Sequence, residues 1–304
     1  MYAAAIEACV SDMARHKHVW SDANPFRCVV VGPGLGRLPM FVLDSCDAHD
    51  IRVSMLLVEA NELAVVELRE YFATDLHRVT IVNHALNPTT TTSQTATTAT
   101  STSTHAKPLP DVFTPFLSAC MLSVSELLGC FGDNEFLTEL TACISRLFMS
   151  RSDAQPVKSY MIPESCDMHV APVHSPSLAR HFETSRKDKQ RTYLTGRPSD
   201  AILLGPCTRV YSVYASSDSS DAVIEASVPI KNNRPGLELH GFLGYFTSVL
   251  YKDYVIDTRH DSPAWNAYHW EAFLFPITDA TLDQSDIVVR LRRRFCTVGL
   301  LALV

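Results

Sequence analysis

No run in these 304 residues approaches the roughly 20 continuous apolar residues that a membrane-spanning helix requires. The N-terminus, Met1 to His18, has no unbroken apolar core of the signal-peptide kind, because Glu7, Asp12, Arg15 and Lys17 interrupt it. Translocation across a membrane and membrane partners are therefore not expected. A basic surplus is also missing. The formal net charge is −7, whereas coating nucleic acid needs a clustered basic surface, so no direct nucleic-acid partner is expected and a cationic substrate is compatible. The nine cysteines (Cys9, Cys28, Cys46, Cys120, Cys130, Cys143, Cys166, Cys207 and Cys296) contain no C-x-x-C pair. Odd in number and scattered, they predict reduced packing residues of a cytoplasmic or nuclear protein rather than a disulfide frame or metal site.

What is present is the composition of a globular protein, with 46% hydrophobic and 19% charged residues, and a length that suggests two domains. Tyr2 to Met13 carries apolar residues at helical spacing and predicts a first helix that ends before Asn24-Pro25. Cys28 to Val31 reads as a buried strand entering the turn Gly32-Pro-Gly34-Leu-Gly36. A helix over Leu38 to Ala48, a strand over Val53 to Glu59, a helix over Asn61 to Phe72 and a strand over Val79 to Val82 follow. This alternation predicts a parallel, Rossmann-like α/β sheet with helices on both faces.

From Thr89 to Thr104 the chain is almost wholly Thr, Ser and Ala, which predicts a disordered insertion. A strand over Leu117 to Val124 leads into Ser125-Glu-Leu-Leu-Gly-Cys-Phe-Gly-Asp-Asn-Glu135 and then a helix to about Phe148, followed by a loop over Arg151 to Lys158. Beyond Pro163 the pattern changes. Short β-rich runs at Met168 to Val173, Val210 to Tyr214, Ala222 to Val228, Phe242 to Tyr254, Glu271 to Pro276 and Ile287 to Leu291 show little helical periodicity and predict an antiparallel barrel or sandwich. The expected domains are residues 1–160 and 161–304. The charge run Arg186 to Arg191 reads as a solvated loop.

A glycine turn after the first strand lets backbone approach a ligand, and an acid ending the second strand, Glu59, can accept ribose hydroxyls. Both features fit a dinucleotide or S-adenosyl-L-methionine. The dinucleotide fingerprint needs glycine where this chain has Arg37, and the observed glycines at 32, 34 and 36 favour the methyl donor. Glu126 and Glu135 bracket a glycine-containing hairpin at the expected carboxyl edge of the sheet. Two neighbouring carboxylates repel and call for a cation between them. A guanidinium suits them, since it stays protonated and presents a planar fork of donors that two carboxylates can grip.

The whole string Ser125 to Glu135 resembles the double-glutamate loop of protein arginine methyltransferases, and its Leu-Leu-Gly-x-Phe-Gly-Asp-Asn-Glu form is similar to the symmetric-dimethylating, type II arginine methyltransferase five family. Further similarities run from Tyr2-x-x-Ala-Ile-x-x-Cys-x-x-Asp12 through Gly32-x-Gly34-x-Gly36, Val58-Glu59-x-Asn61 and Ser159-x-x-Ile-Pro163 to Leu239-His-Gly-Phe-Leu-Gly-Tyr-Phe246, Val249-Leu-Tyr-Lys-Asp253, Asp261-Ser-Pro, Trp270 and Leu274-Phe-Pro-Ile277. The resemblance implies a methyltransferase that uses S-adenosyl-L-methionine to form monomethyl- and symmetric dimethylarginine in proteins carrying Arg/Gly-rich or histone-like tails. Glu126 and Glu135 would clamp the guanidinium, Glu59 would bind the ribose, Gly32, Gly34 and Gly36 would line the donor site, and Trp270 would pack on the target arginine. The barrel would serve substrate binding and homo-oligomerisation. His269 resembles the His-Trp pair of asymmetric-dimethylating relatives, which leaves the product class open.

Departures stand beside these matches. Leu35 occupies the position of a family arginine, and Ala85 that of an acid expected to meet the adenine amine. The chain begins after the family's aromatic donor-covering helix, stops before its last barrel strands and has no large N-terminal barrel, so a truncated or shortened member is expected. The alternative reading is a catalytically weak or inactive methyltransferase-like scaffold.

Overall fold

The computed structural model describes residues 1–15, 20–85, 116, 119–135, 137–149, 159–184, 194–215, 223–231, 233–234, 236–259, 262, 270–277, 286–294 and 297–303. The Thr/Ser segment 89–104, the loop 151–158, the charge run 186–191, Asp261 and His269 lie outside them. Helix α1 (Tyr2–Arg15) buries Tyr2, Ala5, Ile6, Cys9, Val10 and Met13, one stripe at helical spacing, against the next helix and the later barrel. It ends before Asn24-Pro25, as the sequence predicts. Residues 20–25 hold a tight turn closed by the Ser21 and Asn24 backbones, with Trp20 edge-on to Phe26 at 5.6 Å.

Strand β1 (Phe26–Val31), helix α2 (Arg37–Ala48), strand β2 (Val53–Glu59), helix α3 (Glu62–Tyr71) and strand β3 (Val79–Asn83) follow in the expected alternation. Asn61 caps α3, its side-chain oxygen accepting from the Leu63 amide at 3.0 Å. The chain returns as β4 (Leu122–Ser125), shorter than expected, then as α4 (Leu137–Met149) and β5 (Tyr160–Ile162). The five strands form one parallel sheet in the order β3-β2-β1-β4-β5. β1 and β2 are buried almost throughout, which is why they read as continuous apolar runs.

After Ile162 the chain turns into antiparallel pairing. Strands β6 (Ser165–His174), β7 (Leu194–Thr195), β8 (Ile202–Leu203), β9 (Thr208–Tyr214), β11 (Gly241–Tyr251), β12 (Tyr254–Asp257) and β13 (Phe273–Pro276) build one curled sheet. Strands β10 (Val223–Lys231), β14 (Asp286–Arg294) and β15 (Thr297–Leu303) build a second. The fold is therefore a Rossmann-like α/β domain followed by an antiparallel β-barrel-type domain.

Two local departures have clear causes. The run Phe242 to Tyr254 divides into a hairpin, because Lys252 takes a left-handed φ of 49° at the turn. A helix, α5 (Pro176–Thr184), interrupts the β pattern where Ser175 and Pro176 make an N-terminus: the Ser175 hydroxyl accepts from the Leu178 amide at 3.3 Å, and proline supplies a helical φ at the first position. Helix α1 is fastened to the β11–β12 hairpin through Asp12, which accepts from the Tyr251 hydroxyl at 2.8 Å and pairs with Lys252. Those two donors hold the Asp12 carboxyl below its ordinary pKa. Cys9, Cys28, Cys46, Cys120, Cys130, Cys166 and Cys207 are all outside any disulfide, the first four and Cys166 buried. No helix among the described residues is long and apolar enough to cross a membrane.

Candidate active site

In the order β3-β2-β1-β4-β5 the chain builds outward from β1 on one side and then returns to its other side, so the crevice between the carboxyl ends of β1 and β4 is the topological switch point, where open α/β sheets bind ligands. Val31 pairs with Val58 on one flank and with Ser125 on the other. The glycine turn, Glu59 and Glu126 consequently leave three adjacent strands along one edge. The two loops touch: a Cβ on Gly32 would lie 3.1 Å from Leu127 Cδ2.

The glycine turn is held by its own sheet. Gly32, Gly34 and Gly36 have φ of 63°, 53° and 89°, values that L side chains adopt only with strain. The Gly32 amide donates to the Val58 carbonyl at 2.9 Å and the Gly36 amide to the Pro33 carbonyl at 2.9 Å. A Cβ on Gly36 would meet Phe72, Leu68 and Tyr71, whereas one on Gly34 would face nothing within 4 Å, leaving an open cradle over the strand ends. Glu59 is buried at 8% exposure, and its two oxygens accept from the Gly34 amide at 3.1 Å and the Asn61 amide at 2.8 Å. The carboxylate thus organises both turns beside it. At the neighbouring end of β3 the Asn83 side chain donates to the Glu59 and Ala60 carbonyls at 3.3 Å. Ala85 is exposed there, and Leu35 is 76% exposed on the glycine turn.

The second loop is held largely from the barrel. Gly129 and Gly132 exchange backbone hydrogen bonds of 3.0 and 2.8 Å around Cys130 and Phe131, so the arms carrying Glu126 and Glu135 run antiparallel from this turn. Phe131 is fully buried, stacked on Phe273 at 5.6 Å and edge-on to Phe275 at 5.1 Å. Gly244 of β11 admits that ring, since a Cβ there would come within 2.6 Å of it. Trp270 lies half-buried against the same loop, its indole N–H donating to the Leu128 carbonyl at 2.8 Å and its ring edge-on to Phe246 at 5.4 Å. From the other side the Tyr2 hydroxyl donates to the Ser125 carbonyl at 2.8 Å; burial, and then the Glu126 charge, push its pKa well up. Glu126 and Glu135 are both exposed. The geometry sets the glycine turn, held by Glu59, against the loop that carries Glu126 and Glu135, with Trp270 bonded to that same loop.

The roles of Tyr2, Asp133 and Arg293 in holding this loop escaped the sequence reading. Asp133 sits two residues before Glu135 and is fully buried, accepting from the Thr138 amide at 2.8 Å and hydroxyl at 2.6 Å; an acid before a helix start was the available signal. Among the described residues no group of three or more His, Cys, Asp or Glu could hold a metal.

Comparison with known proteins yields one family over the first half of the chain. The family model described as PRMT5 arginine-N-methyltransferase matches residues 1–155. The chain is 28% identical over 195 residues to protein arginine N-methyltransferase 5 of Xenopus laevis, a match covering 58% of this chain and 28% of the frog protein. It is 26% identical over 170 residues to protein arginine N-methyltransferase skb1 of Schizosaccharomyces pombe, covering 51% of this chain and 26% of the yeast protein. The matches thus span about a quarter of these relatives' length. Among solved structures, PRMT6-SAH superposes with a TM-score of 0.66 at 15% identity over 99% of this chain and 95% of that one. The Trypanosoma brucei PRMT1 enzyme-prozyme heterotetrameric complex with AdoHcy gives 0.61 at 13% identity, over 98% and 87%. At such identities these two structures establish the fold.

Proposed function

The chain belongs to the PRMT5 arginine-N-methyltransferase family, and on that premise we propose that it transfers methyl groups from S-adenosyl-L-methionine to guanidino nitrogens of protein arginine, giving monomethyl- and symmetric dimethylarginine. The observation that carries this reading is the contact between the glycine turn and the double-glutamate loop across the switch point, where Gly32 meets Leu127. The residues present fit the donor. Gly34 leaves its cradle open, and each Glu59 oxygen, having accepted one amide, keeps a lone pair for a ribose hydroxyl.

When bound, the donor supplies an electrophilic methyl on a sulfonium. A guanidinium approaching that cation meets repulsion, which Glu126 and Glu135 offset. The two exposed carboxylates would grip the incoming fork of donors, hold one nitrogen in line with the methyl and concentrate electron density on it. The Trp270 ring, fixed by its bond to Leu128, offers a π face to the same cation. In this reading residues 1–160 bind the donor and the barrel forms the other wall of the cleft, taking Arg/Gly-rich or histone-like tails. Homo-oligomerisation and a cytoplasmic or nuclear location belong to the same proposal.

A second reading, a donor-binding scaffold that transfers little, is favoured by the exposed Leu35 and Ala85 on the donor edge. One experiment separates the two: calorimetric titration of the donor, followed by tandem mass spectrometry of an Arg/Gly-rich peptide incubated with chain and donor. Donor binding with methylated guanidino nitrogens supports transfer, and the fragment ions report symmetric or asymmetric product. Donor binding with an unmodified peptide supports the scaffold.

A further inference from the structure

We propose that Arg293, on barrel strand β14, is a positioning residue that sets Glu135 through Asp133, so that the barrel fixes the geometry of the acid pair from behind. The inference rests on the clamp reading above. Arg293 is fully buried, and β14 explains why: Val289, Leu291 and Arg293 alternate onto the core face. Its Nε lies 2.6 Å from Asp133 Oδ2, while Nη2 donates to Asp133 Oδ1 at 3.2 Å and to Glu139 Oε2 at 2.5 Å. Asp133 precedes Glu135 by two residues and Glu139 follows it by four, within helix α4. One guanidinium therefore staples the loop on both sides of Glu135.

The surrounding contacts stiffen the same segment. Asp133 also accepts from Thr138 and from the Tyr211 hydroxyl of β9, at 3.4 Å, and the Asn134 side-chain oxygen accepts from the Phe131 amide at 2.8 Å. Burial pushes the Asp133 carboxyl above its ordinary pKa, and the Arg293 charge and the Thr138 bonds oppose that push. Two buried acids around one arginine form a charge cluster that packing alone does not require, because well-packed apolar groups in place of a buried ion triad often preserve or raise stability. Its place beside Glu135 gives it a use: a planar fork bonding two carboxylates fixes direction as well as distance.

The test exploits that separation. Arg293→Met alone would strand two buried acids and can fail to fold, so the decisive variant is the neutral triple change Asp133→Asn, Glu139→Gln, Arg293→Met, with Arg293→Lys as a charge-conserving companion. Thermal melting, donor affinity by calorimetry, hydrogen exchange of residues 126–135 and single-turnover transfer to an Arg/Gly-rich peptide are read on each. The triple variant is expected to melt at or above the parent temperature and bind the donor within about twofold, yet exchange faster in the loop and lose about ten- to hundredfold in transfer, the cost of misplacing an aligning group. Arg293→Lys, keeping the charge without the fork, should recover part of the transfer. A stable triple variant with parental loop exchange and transfer overturns the proposal. If the unaltered chain binds donor but methylates no arginine, the clamp reading fails instead, and loop exchange still decides whether Arg293 orders residues 126–135.

Discussion

The glycine turn and the double-glutamate loop leave adjacent parallel strands and touch each other, yet they are held in opposite ways. The first is organised from within its own sheet, by amides that the buried Glu59 gathers and by bonds to Val58 and Pro33. The second keeps its acids exposed and takes much of its support from barrel residues: Phe273 and Phe275 around Phe131, Trp270 on Leu128, and Arg293 on Asp133. On the proposed function, the contrast predicts that donor affinity and transfer are set by different parts of the molecule. Damage to the barrel should reach transfer while largely sparing the donor.

The largest effect is expected from Phe131→Ala, which removes a fully buried ring from the joint between loop and barrel. It should cost about 3–5 kcal/mol of stability by chemical denaturation. Transfer should be lost under conditions where the folded fraction still binds donor, and donor loss in step with transfer would break the contrast. Next come Glu126→Gln and Glu135→Gln, each removing one charge with little change of shape. Each should lower single-turnover transfer by at least about a hundredfold, as loss of an electrostatic transition-state contact does, with calorimetric donor affinity nearly unchanged.

A pH dependence should arise in the barrel. Burial, assisted by the Arg259 and Arg209 charges, drives the His169 imidazole down to about 4, against the weaker pull of Asp167 and Asp257, while its ring bonds to the Thr247 hydroxyl at 3.1 Å. Between an unfolded-state value near 6.5 and the folded value near 4, the unfolded chain binds a proton that the native state refuses. Stability contributed by the neutral ring is therefore complete above about pH 6.5 and falls as the pH drops toward 4, by on the order of 3 kcal/mol. Thermal melts of the parent between pH 7 and 4.5 should show this slope, and His169→Gln should flatten it.

The smallest pair sharpens the donor side. Gly36→Ala forces a left-handed φ and presses Cβ to 3.1 Å from Phe72, so it should lower stability by about 1–2 kcal/mol. Gly34→Ala meets no protein atom and should cost only about 1 kcal/mol of backbone strain, yet weaken donor binding more than Gly36→Ala does, because its Cβ enters the open cradle. Melting and calorimetry on both variants check whether the two effects cross over in this way.

Much of this arrangement is legible in the chain because its elements are local. Buried parallel strands write continuous apolar runs that end in turn residues, so β1, β2 and the glycine turn can be read from neighbouring positions, and the double-glutamate loop lies within eleven consecutive residues. What stays hidden depends on distance or on single caps. Helix α5 hangs on Ser175 and Pro176, two residues that read as a break in a β pattern. Arg293 looks like one more solvated charge in Arg290-Leu-Arg-Arg-Arg294, and only the two-residue period from Val289 and Leu291 marks it as inward. Its partner Asp133 is 160 positions away, a separation that no local pattern spans.

The central claim is that the exposed acids at 126 and 135 read a guanidinium beside a bound methyl donor. Its most direct test is single-turnover transfer, followed by tandem mass spectrometry, with two peptides that differ only in carrying one arginine or one lysine at the acceptor position. The account predicts methyl groups on the arginine nitrogens of the first peptide and none on the second, because an ammonium cannot fill two carboxylates as a planar fork does. Equal transfer to lysine, or transfer to arginine that survives Glu126→Gln and Glu135→Gln together, would contradict it.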